Sequence, residues 1–229
     1  MTYSLNHHPD EATLMSYANG TLKDSLRTLV ATHLHFCEAC QKEVRLLEEL
    51  GGALLESVPE VTLSETCLEK ALDCYDAIQL EDGSISHQDE HKLSSLPDVK
   101  DDILPPTLSR SLGMGVDDIP WHFMAPGIRC YKIPLPSKDQ GDLRLLKIKP
   151  GHSLPEHGHG GTELTLVLQG AYKDEFGTYT RGDIQDVDDE VEHQPVTIGD
   201  EDCICLIAFE QQAHFKGLGP RLLQPFIGM

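Results

Sequence analysis

Residues 151–170 of the chain read GHSLPEHGHGGTELTLVLQG. This stretch places two histidines and a glutamate between glycines, in the pattern G-x5-H-x-H-x3-E-x6-G. His157 and His159 are two residues apart, so on a β-strand their side chains point to the same face. Glu163 follows a Gly-Gly pair that can bend or bulge the chain back toward that face. Two imidazoles and a carboxylate on one surface indicate a divalent-metal site that needs one more ligand.

The overall composition limits the partners that this site could serve. The chain has 229 residues and a net charge of −20. That charge disfavours nucleic acid and anionic membranes, because both require a basic surface. The negative charge is compatible with a basic protein partner. The alternative interpretation is that the chain is an acidic soluble protein and the charge has no specific partner. We find no apolar leader and no membrane-spanning run, and the seven unevenly spaced cysteines fit a reducing compartment better than a disulfide framework. We therefore expect a cytoplasmic protein.

The pattern of apolar residues changes along the chain and predicts three parts. Residues 1–80 carry apolar positions at helical spacing, and we predict helices over residues 10–18, 22–35, 37–57 and 64–80, the last capped by Ser64. Residues 81–106 are rich in charge, Ser and Pro and predict a linker. Residues 107–229 contain short apolar or alternating runs between Gly, Pro and Asp clusters, which indicate an antiparallel sandwich or barrel. The predicted strands cover residues 128–133, 142–148, 163–169, 171–176, 184–187 and 203–209.

A second group of candidate metal ligands lies in the helical part. His33, Cys37 and Cys40 form H-x3-C-x2-C, a spacing that can bring all three to one helix face. Zinc prefers thiolate and imidazole ligands, and a tetrahedral site needs a fourth. The candidates for that ligand are His7, His8 and His35. The competing interpretation is that both cysteines are small core residues and His33 is an exposed histidine.

The 151–170 motif resembles the first conserved motif of the cupin superfamily. In cupins a metal lies inside a small β-barrel, and a later strand supplies a third histidine. Residues 177–183, GTYTRGD, look like the turn before that strand, although Thr180 stands in place of the usual proline. The resemblance therefore implies four ligands. They are His157, His159, Glu163 and His193.

Two further cysteines lie near the end of the predicted sheet. Cys203 and Cys205 share one face of a strand, where they could form a redox pair near the metal or simply pack in the core. Disulfide geometry is poor for residues i and i+2 on a flat strand. Both interpretations stay open at this point.

The two halves together resemble the ChrR type of zinc-binding anti-sigma factor over nearly the full length. The opening HHPDEATLMSYANGTL, followed by ATHLHFCEAC, looks like the start of that family. The resemblance implies that His8 joins His33, Cys37 and Cys40 as the N-terminal zinc ligands. It also implies that the helical domain binds an extracytoplasmic-function sigma factor in a 1:1 heterodimer. The cupin-like domain would respond to singlet oxygen or related oxidants, and both domains would bind zinc.

The sequence thus predicts an α + β multidomain protein with no enzymatic activity. A small helical zinc-binding anti-sigma domain over residues 1–80 would precede a linker over 81–106 and a cupin-like β-barrel over 107–229. The alternative is a cupin metalloenzyme, of dioxygenase or isomerase type, with a helical regulatory domain. Three histidines and a glutamate around iron or manganese leave two octahedral positions open for chemistry, whereas the same ligands can close a tetrahedron around zinc.

Overall fold

A computed structural model describes residues 5–81, 103–136, 141–154, 157–158, 160–210 and 214–215. The N-terminal part is helical, as predicted. Its helices are α1 (Glu11–Ala18), α2 (Asp24–Leu34), α3 (Glu38–Glu56) and α4 (Cys67–Glu81). Asp10 caps α1 by accepting a hydrogen bond from the Thr13 amide. The predicted cap at Ser64 is wrong, since α4 begins three residues later and the Ser64 carbonyl accepts the amide of Cys67.

A short helix that the sequence pattern missed follows the predicted linker. Helix α5 (Pro106–Leu112) starts with proline, whose fixed φ suits the first helical turn, and ends at Gly113, which has a φ of 67°. A 3-10 turn (Val116–Asp118) comes next. Leu104 and Leu108 are buried in the main core. Ordered core packing therefore begins inside the predicted linker, while residues 82–102 of it lie outside the described residues.

The remainder of the described chain forms antiparallel strands. They are β1 (His122–Ala125), β2 (Ile128–Lys132), β3 (Asp142–Ile148), β4 (His157–Gly158), β5 (Glu163–Gln169), β6 (Ala171–Lys173), β7 (Thr178–Thr180), β8 (Ile184–Val187), β9 (Glu192–His193), β10 (Val196–Ile198), β11 (Cys203–Phe209) and β12 (His214–Phe215). The predicted runs all contain strands. Six short strands lie outside those runs, because two to four residues are too few to show alternation: β1, β4, β7, β9, β10 and β12.

The strands form three sheets, and in the described part of the chain these do not join into one closed barrel. The large sheet has the order β1-β2-β3-β11-β5-β8, and the smaller ones have the orders β10-β6-β7 and β12-β4-β9. All the strand pairs are antiparallel. The antiparallel architecture predicted for this part is therefore confirmed.

The central strands of the large sheet, β3, β11 and β5, are buried on both faces, and one face packs on the helices. Along β11, Leu206 and Ala208 join a core with Leu26 and Leu29 of α2, whereas alternate residues join a second core inside the sheet domain. This alternation follows the two-residue period of a strand. Each fully buried leucine contributes roughly 1.5–3 kcal/mol relative to exposure. The helices and the sheet are thus joined by one continuous apolar core.

Among the residues that the structure describes, no helix is both long enough and apolar enough to cross a membrane.

Candidate metal centres

Four side chains of the helical part converge on one point. The ligand atoms of His8, His33, Cys37 and Cys40 all lie within 4.8 Å of one another. His8 Nδ1 is 3.3 Å from Cys37 Sγ and 3.4 Å from Cys40 Sγ, and His33 Nε2 is 3.4 Å from Cys40 Sγ. In a tetrahedral zinc site, Zn–S bonds of about 2.3 Å and Zn–N bonds of about 2.0–2.1 Å separate adjacent N and S atoms by about 3.6 Å. The four residues therefore fit a zinc ion.

The break between α2 and α3 brings three of these ligands together. His33 lies in the last turn of α2, Cys37 is the residue just before α3, and Cys40 lies in the first turn of α3. The Cys40 amide donates a hydrogen bond to Cys37 Sγ across 3.4 Å. The ligands are thus arranged by a helix–turn–helix corner and not along one continuous helix.

The structure separates the three candidates for the fourth ligand. His8 belongs to the cluster. The His7 ring packs against Tyr179 with ring centroids 4.4 Å apart, and His35 packs edge-on against Phe36 at 5.5 Å. Of these three histidines, only His8 is placed to bind the same ion as Cys37 and Cys40.

Burial sets the protonation of this cluster in the absence of a cation. Burial lowers the pKa of His33 to about 4, despite the opposing hydrogen bond to Gly182, so its imidazole is neutral as metal binding requires. Burial and the Cys37 thiol raise the pKa of Cys40 to about 12. A bound divalent cation would supply the positive charge that favours the Cys40 thiolate.

The predicted cupin site is partly described. Glu163 begins β5 and His193 ends β9, and both side chains are buried. They line one cavity. The centre of a water molecule can occupy about 20 Å³ of it, which leaves room for one water molecule or one ion. The backbone of His157 is paired with that of His193 across β4 and β9. His159 lies outside the described residues.

Glu163 carries a proton at neutral pH when no cation is present. Burial raises its pKa to about 8, and the hydrogen bond from the Thr165 hydroxyl offsets only part of this effect. A divalent cation in the cavity would favour the carboxylate form by direct attraction. Two of the four predicted ligands, Glu163 and His193, thus line the same cavity.

A buried network that sequence reasoning missed fixes the orientation of His193. His193 Nδ1 lies 3.0 Å from Asp174 Oδ2, which also accepts a hydrogen bond of 2.6 Å from Gln185 Nε2. The Tyr172 hydroxyl donates a hydrogen bond of 2.9 Å to Gln185 Oε1. Burial opposes ionisation of Asp174, but the hydrogen bonds from Gln185, His193 and two backbone amides hold its pKa below the usual range. Asp174 falls within the strand predicted over residues 171–176, and β6 ends one residue before it, so no local signal could have revealed this role.

Cys203 and Cys205 are free, buried thiols beside the second centre. Their Sγ atoms are 3.5 Å apart, a thiol hydrogen-bond distance, and Cys205 lines the cavity. The Cys203 thiol and burial raise the pKa of Cys205 well above its usual value. Two free thiols in contact are consistent with the expected poor disulfide geometry.

A large apolar surface remains uncovered on α3 and α4. We call it the α3–α4 apolar surface, and each member is more than half exposed. Its members are Leu46, Leu50, Leu54, Leu55, Leu68, Leu72 and Tyr75. Several large apolar side chains exposed along a helix mark a candidate site for a protein partner. The surface begins on the same helix that supplies Cys40.

Comparison with known proteins identifies the class and then the family. The family model described as the ChrR cupin-like domain matches residues 109–213, so the chain is a cupin-domain protein joined to a helical domain with a candidate metal cluster. The anti-sigma-E factor ChrR of Cereibacter sphaeroides is 36% identical over 97% of this chain and 98% of its own length. The chain therefore belongs to the ChrR family of anti-sigma factors.

A solved structure shows the same fold over most of the chain. The crystal structure of Rhodobacter sphaeroides SigE in complex with the anti-sigma factor ChrR matches with a TM-score of 0.70 and 35% identity. The match covers 90% of this chain and 99% of that chain. The cupin fold and the family resemblance predicted from the sequence are thus confirmed. The chain is a regulator and not an enzyme, which removes the cupin metalloenzyme alternative.

Proposed function

We propose that this protein sequesters an extracytoplasmic-function sigma factor in a 1:1 complex and releases it in response to singlet oxygen or a related oxidant. The observation that carries the proposal is the α3–α4 apolar surface next to the N-terminal ligand cluster. The related ChrR protein has been crystallised in complex with SigE, which supports a partner of this kind. We place the complex in the cytoplasm.

The charge of the helical part suits such a partner. Residues 1–95 contain 17 acidic and 6 basic residues. Sigma factors bind DNA through basic surfaces, so an acidic inhibitor is complementary to them and is steered toward them. No direct contact of this chain with nucleic acid or membrane is part of the proposal.

We propose Zn²⁺ at both centres. His8, His33, Cys37 and Cys40 would hold the first ion, and a closed tetrahedron there would fix α3 against α2. His157, His159, Glu163 and His193 would hold the second, which could also be iron or manganese. We divide the chain into a helical domain over 1–80, a linker over 81–106 and a cupin-like domain over 107–229. The oxidant signal enters the cupin-like domain, through the second centre or its nearby thiols.

The direct test of the proposed function is purification of the tagged protein from its native host. A sigma factor recovered in a 1:1 ratio would support the proposal. Recovery of the chain alone, together with failure of every extracytoplasmic-function sigma factor of the host to bind it in vitro, would contradict the proposal.

Removal of the cupin histidines should separate sigma binding from oxidant sensing. We expect the double variant His157→Ala/His159→Ala to bind sigma factor normally but to retain it under photosensitiser illumination. The bound fraction is measured by pull-down before and after illumination. The control is His122→Ala, because His122 is an exposed histidine on β1. Release at the wild-type rate from the double variant would exclude a sensing role for the second centre.

Asp174 should be needed for tight metal binding at the second centre. It holds the ring of His193, and loss of such a hydrogen-bond partner typically costs about 10–100-fold in metal affinity. We expect that loss in Asp174→Ala and also in Asp174→Asn, which keeps the oxygen that accepts the Phe176 and Gly177 amides but turns an NH2 group toward His193 Nδ1. Metal titration in a Cys37→Ser background isolates the second centre. Equal affinity in wild type and Asp174→Ala would contradict this role.

A further inference from the structure

The segment that carries His8 is held by the sheet domain. The amides of Asn6 and His7 donate hydrogen bonds of 2.9 and 3.2 Å to Asp183 Oδ1. The amide of Ile184 in turn donates to the His7 carbonyl across 3.2 Å. The chain just before His8 therefore runs along the start of β8, more than 170 residues away in sequence.

A second ligand of the N-terminal cluster contacts the same turn. His33 Nδ1–H donates to the Gly182 carbonyl across 2.9 Å, which leaves Nε2 directed at Cys40. Gly182 has a φ of 91°, and a Cβ there would lie 2.7 Å from Leu5 Cδ2 and 3.3 Å from Phe36 Cβ. Glycine is therefore required both for the backbone conformation and for the close approach of the segments that flank the ligands.

The Asp183 carboxylate is held by its own turn as well as by the N-terminal segment. It is completely buried. Its Oδ2 accepts hydrogen bonds of 2.9 and 2.8 Å from the Thr180 amide and hydroxyl, while Oδ1 accepts the two N-terminal amides. Four donors offset the cost of burying the charge and lock the carboxylate in the β7–β8 turn.

We propose that this turn positions two of the four ligands of the N-terminal metal centre. The Gly182 carbonyl orients His33, and the Asp183 carboxylate orients the segment that delivers His8. The metal affinity of the helical domain then depends on the conformation of the cupin domain. This role depends on the N-terminal metal centre proposed above, for which the Gly182 carbonyl and the Asp183 carboxylate are the positioning groups.

Strand β8 connects this turn to the second centre. Gln185 lines the cupin cavity and bonds both Tyr172 and Asp174, the partner of His193. Its neighbour Ile184 lies in the core shared with the helices, and Asp186 Oδ2 accepts the amide of Asp10. Strand β8 thus lines the cupin cavity through Gln185 and bonds, through Ile184 and Asp186, the residues that flank His8. A shift of β8 that follows a change in the cupin cavity would move the Gly182 carbonyl relative to His33. By thermodynamic linkage, metal bound at one end must bias the conformation at the other.

The first test measures Co²⁺ affinity of the full chain through its thiolate-to-cobalt charge-transfer band. The part of the band that is lost in Cys37→Ser reports the N-terminal centre. We expect Asp183→Ala to weaken this binding by about 10–100-fold. Asp183→Asn should recover part of it, because its amide oxygen still accepts from Asn6 and His7 while its NH2 group replaces the oxygen that accepts from Thr180. The control Asp189→Ala removes an equal charge at an exposed site and should bind as wild type does.

Two results of that titration would overturn the inference. One is an unchanged affinity in Asp183→Ala. The other is an equal loss in Asp183→Ala and Asp183→Asn, which would assign the effect to the Thr180 bonds within the turn. Absence of any cysteine-dependent band in the wild type would instead reject the metal centre itself, so the two failures are distinguishable.

The second test needs no substitution in the turn. Hydrogen exchange of the Ile184 amide, which bonds the His7 carbonyl, is followed in the wild-type chain with and without Zn²⁺. We expect zinc to slow this exchange in the wild type but not in Cys37→Ser, which keeps the cupin ligands. Equal exchange with and without zinc in the wild type, or equal slowing in both proteins, would overturn the inference.

Discussion

Replacing Cys40 with alanine is expected to remove the metal from the N-terminal centre and to release α3 from the rest of the molecule. Structural zinc sites contribute apparent binding free energies of about 10–16 kcal/mol, and loss of one thiolate removes much of this. Helix α3 depends on it, because Cys40 and Val44 are the buried residues among its 19. Helix α2 instead packs on β11 through Leu26 and Leu29 and should stay folded.

Metal analysis and hydrogen exchange measure this outcome. We expect Cys40→Ala to lose one metal ion per chain, to lose amide protection in α3 but not in α2 or β11, and to lose sigma binding. The control is Cys74→Ala, since Cys74 is an exposed thiol on α4. Full metal content together with unchanged protection of α3 would show that the cluster has no structural role.

Acidic substitutions on the α3–α4 apolar surface should abolish sigma binding without unfolding the protein. Leu50 and Leu54 are 55% and 61% exposed and lie one turn apart on one helix face. Interface hot spots of this kind contribute about 2 kcal/mol or more each, so each Leu→Glu change should weaken binding by about 30-fold or more. Stability should change by no more than about 0.5 kcal/mol, because neither side chain is in the core.

The matched control for these variants is Phe123→Glu. Phe123 is 77% exposed on β1 and undergoes the same change from apolar to acidic, but in the sheet domain. Calorimetric titration with the purified sigma factor gives the affinities, and thermal unfolding gives the stabilities. Wild-type affinity in the Leu50→Glu/Leu54→Glu double variant would mean that the partner binds elsewhere.

The sequence was sufficient to predict the fold class and most of the first centre. The fold class follows from local periodicity, which can be read from a single sequence. The first 80 residues show helical spacing, and short apolar runs follow residue 107. His33, Cys37 and Cys40 are close in sequence, so their convergence could be inferred. His8 could be chosen over His7 only through the family resemblance, because that choice depends on how the N-terminal segment packs on Tyr179 and Asp183.

The contacts between the two halves could not be predicted in the same way. The runs LTLVL in β5 and CICLIAF in β11 are nearly continuous in apolar residues, a sign that a strand is buried on both faces. That pattern could have indicated that helices cover the sheet, but not which helices. Asp174 lies in a predicted strand and Asp183 in a predicted turn, and the contacts that give them a role are formed only by tertiary packing.

The central position of β11 has a consequence for biosynthesis. This strand lies between β3 and β5 and supplies Leu206 and Ala208 to the core beneath α2, yet it is among the last strands to be translated. At about 5–20 residues per second, it leaves the ribosome roughly 9–35 s after α2. Throughout that interval the sheet beneath α2 lacks its central strand. The core between α2 and the sheet can therefore close only after translation has passed β11.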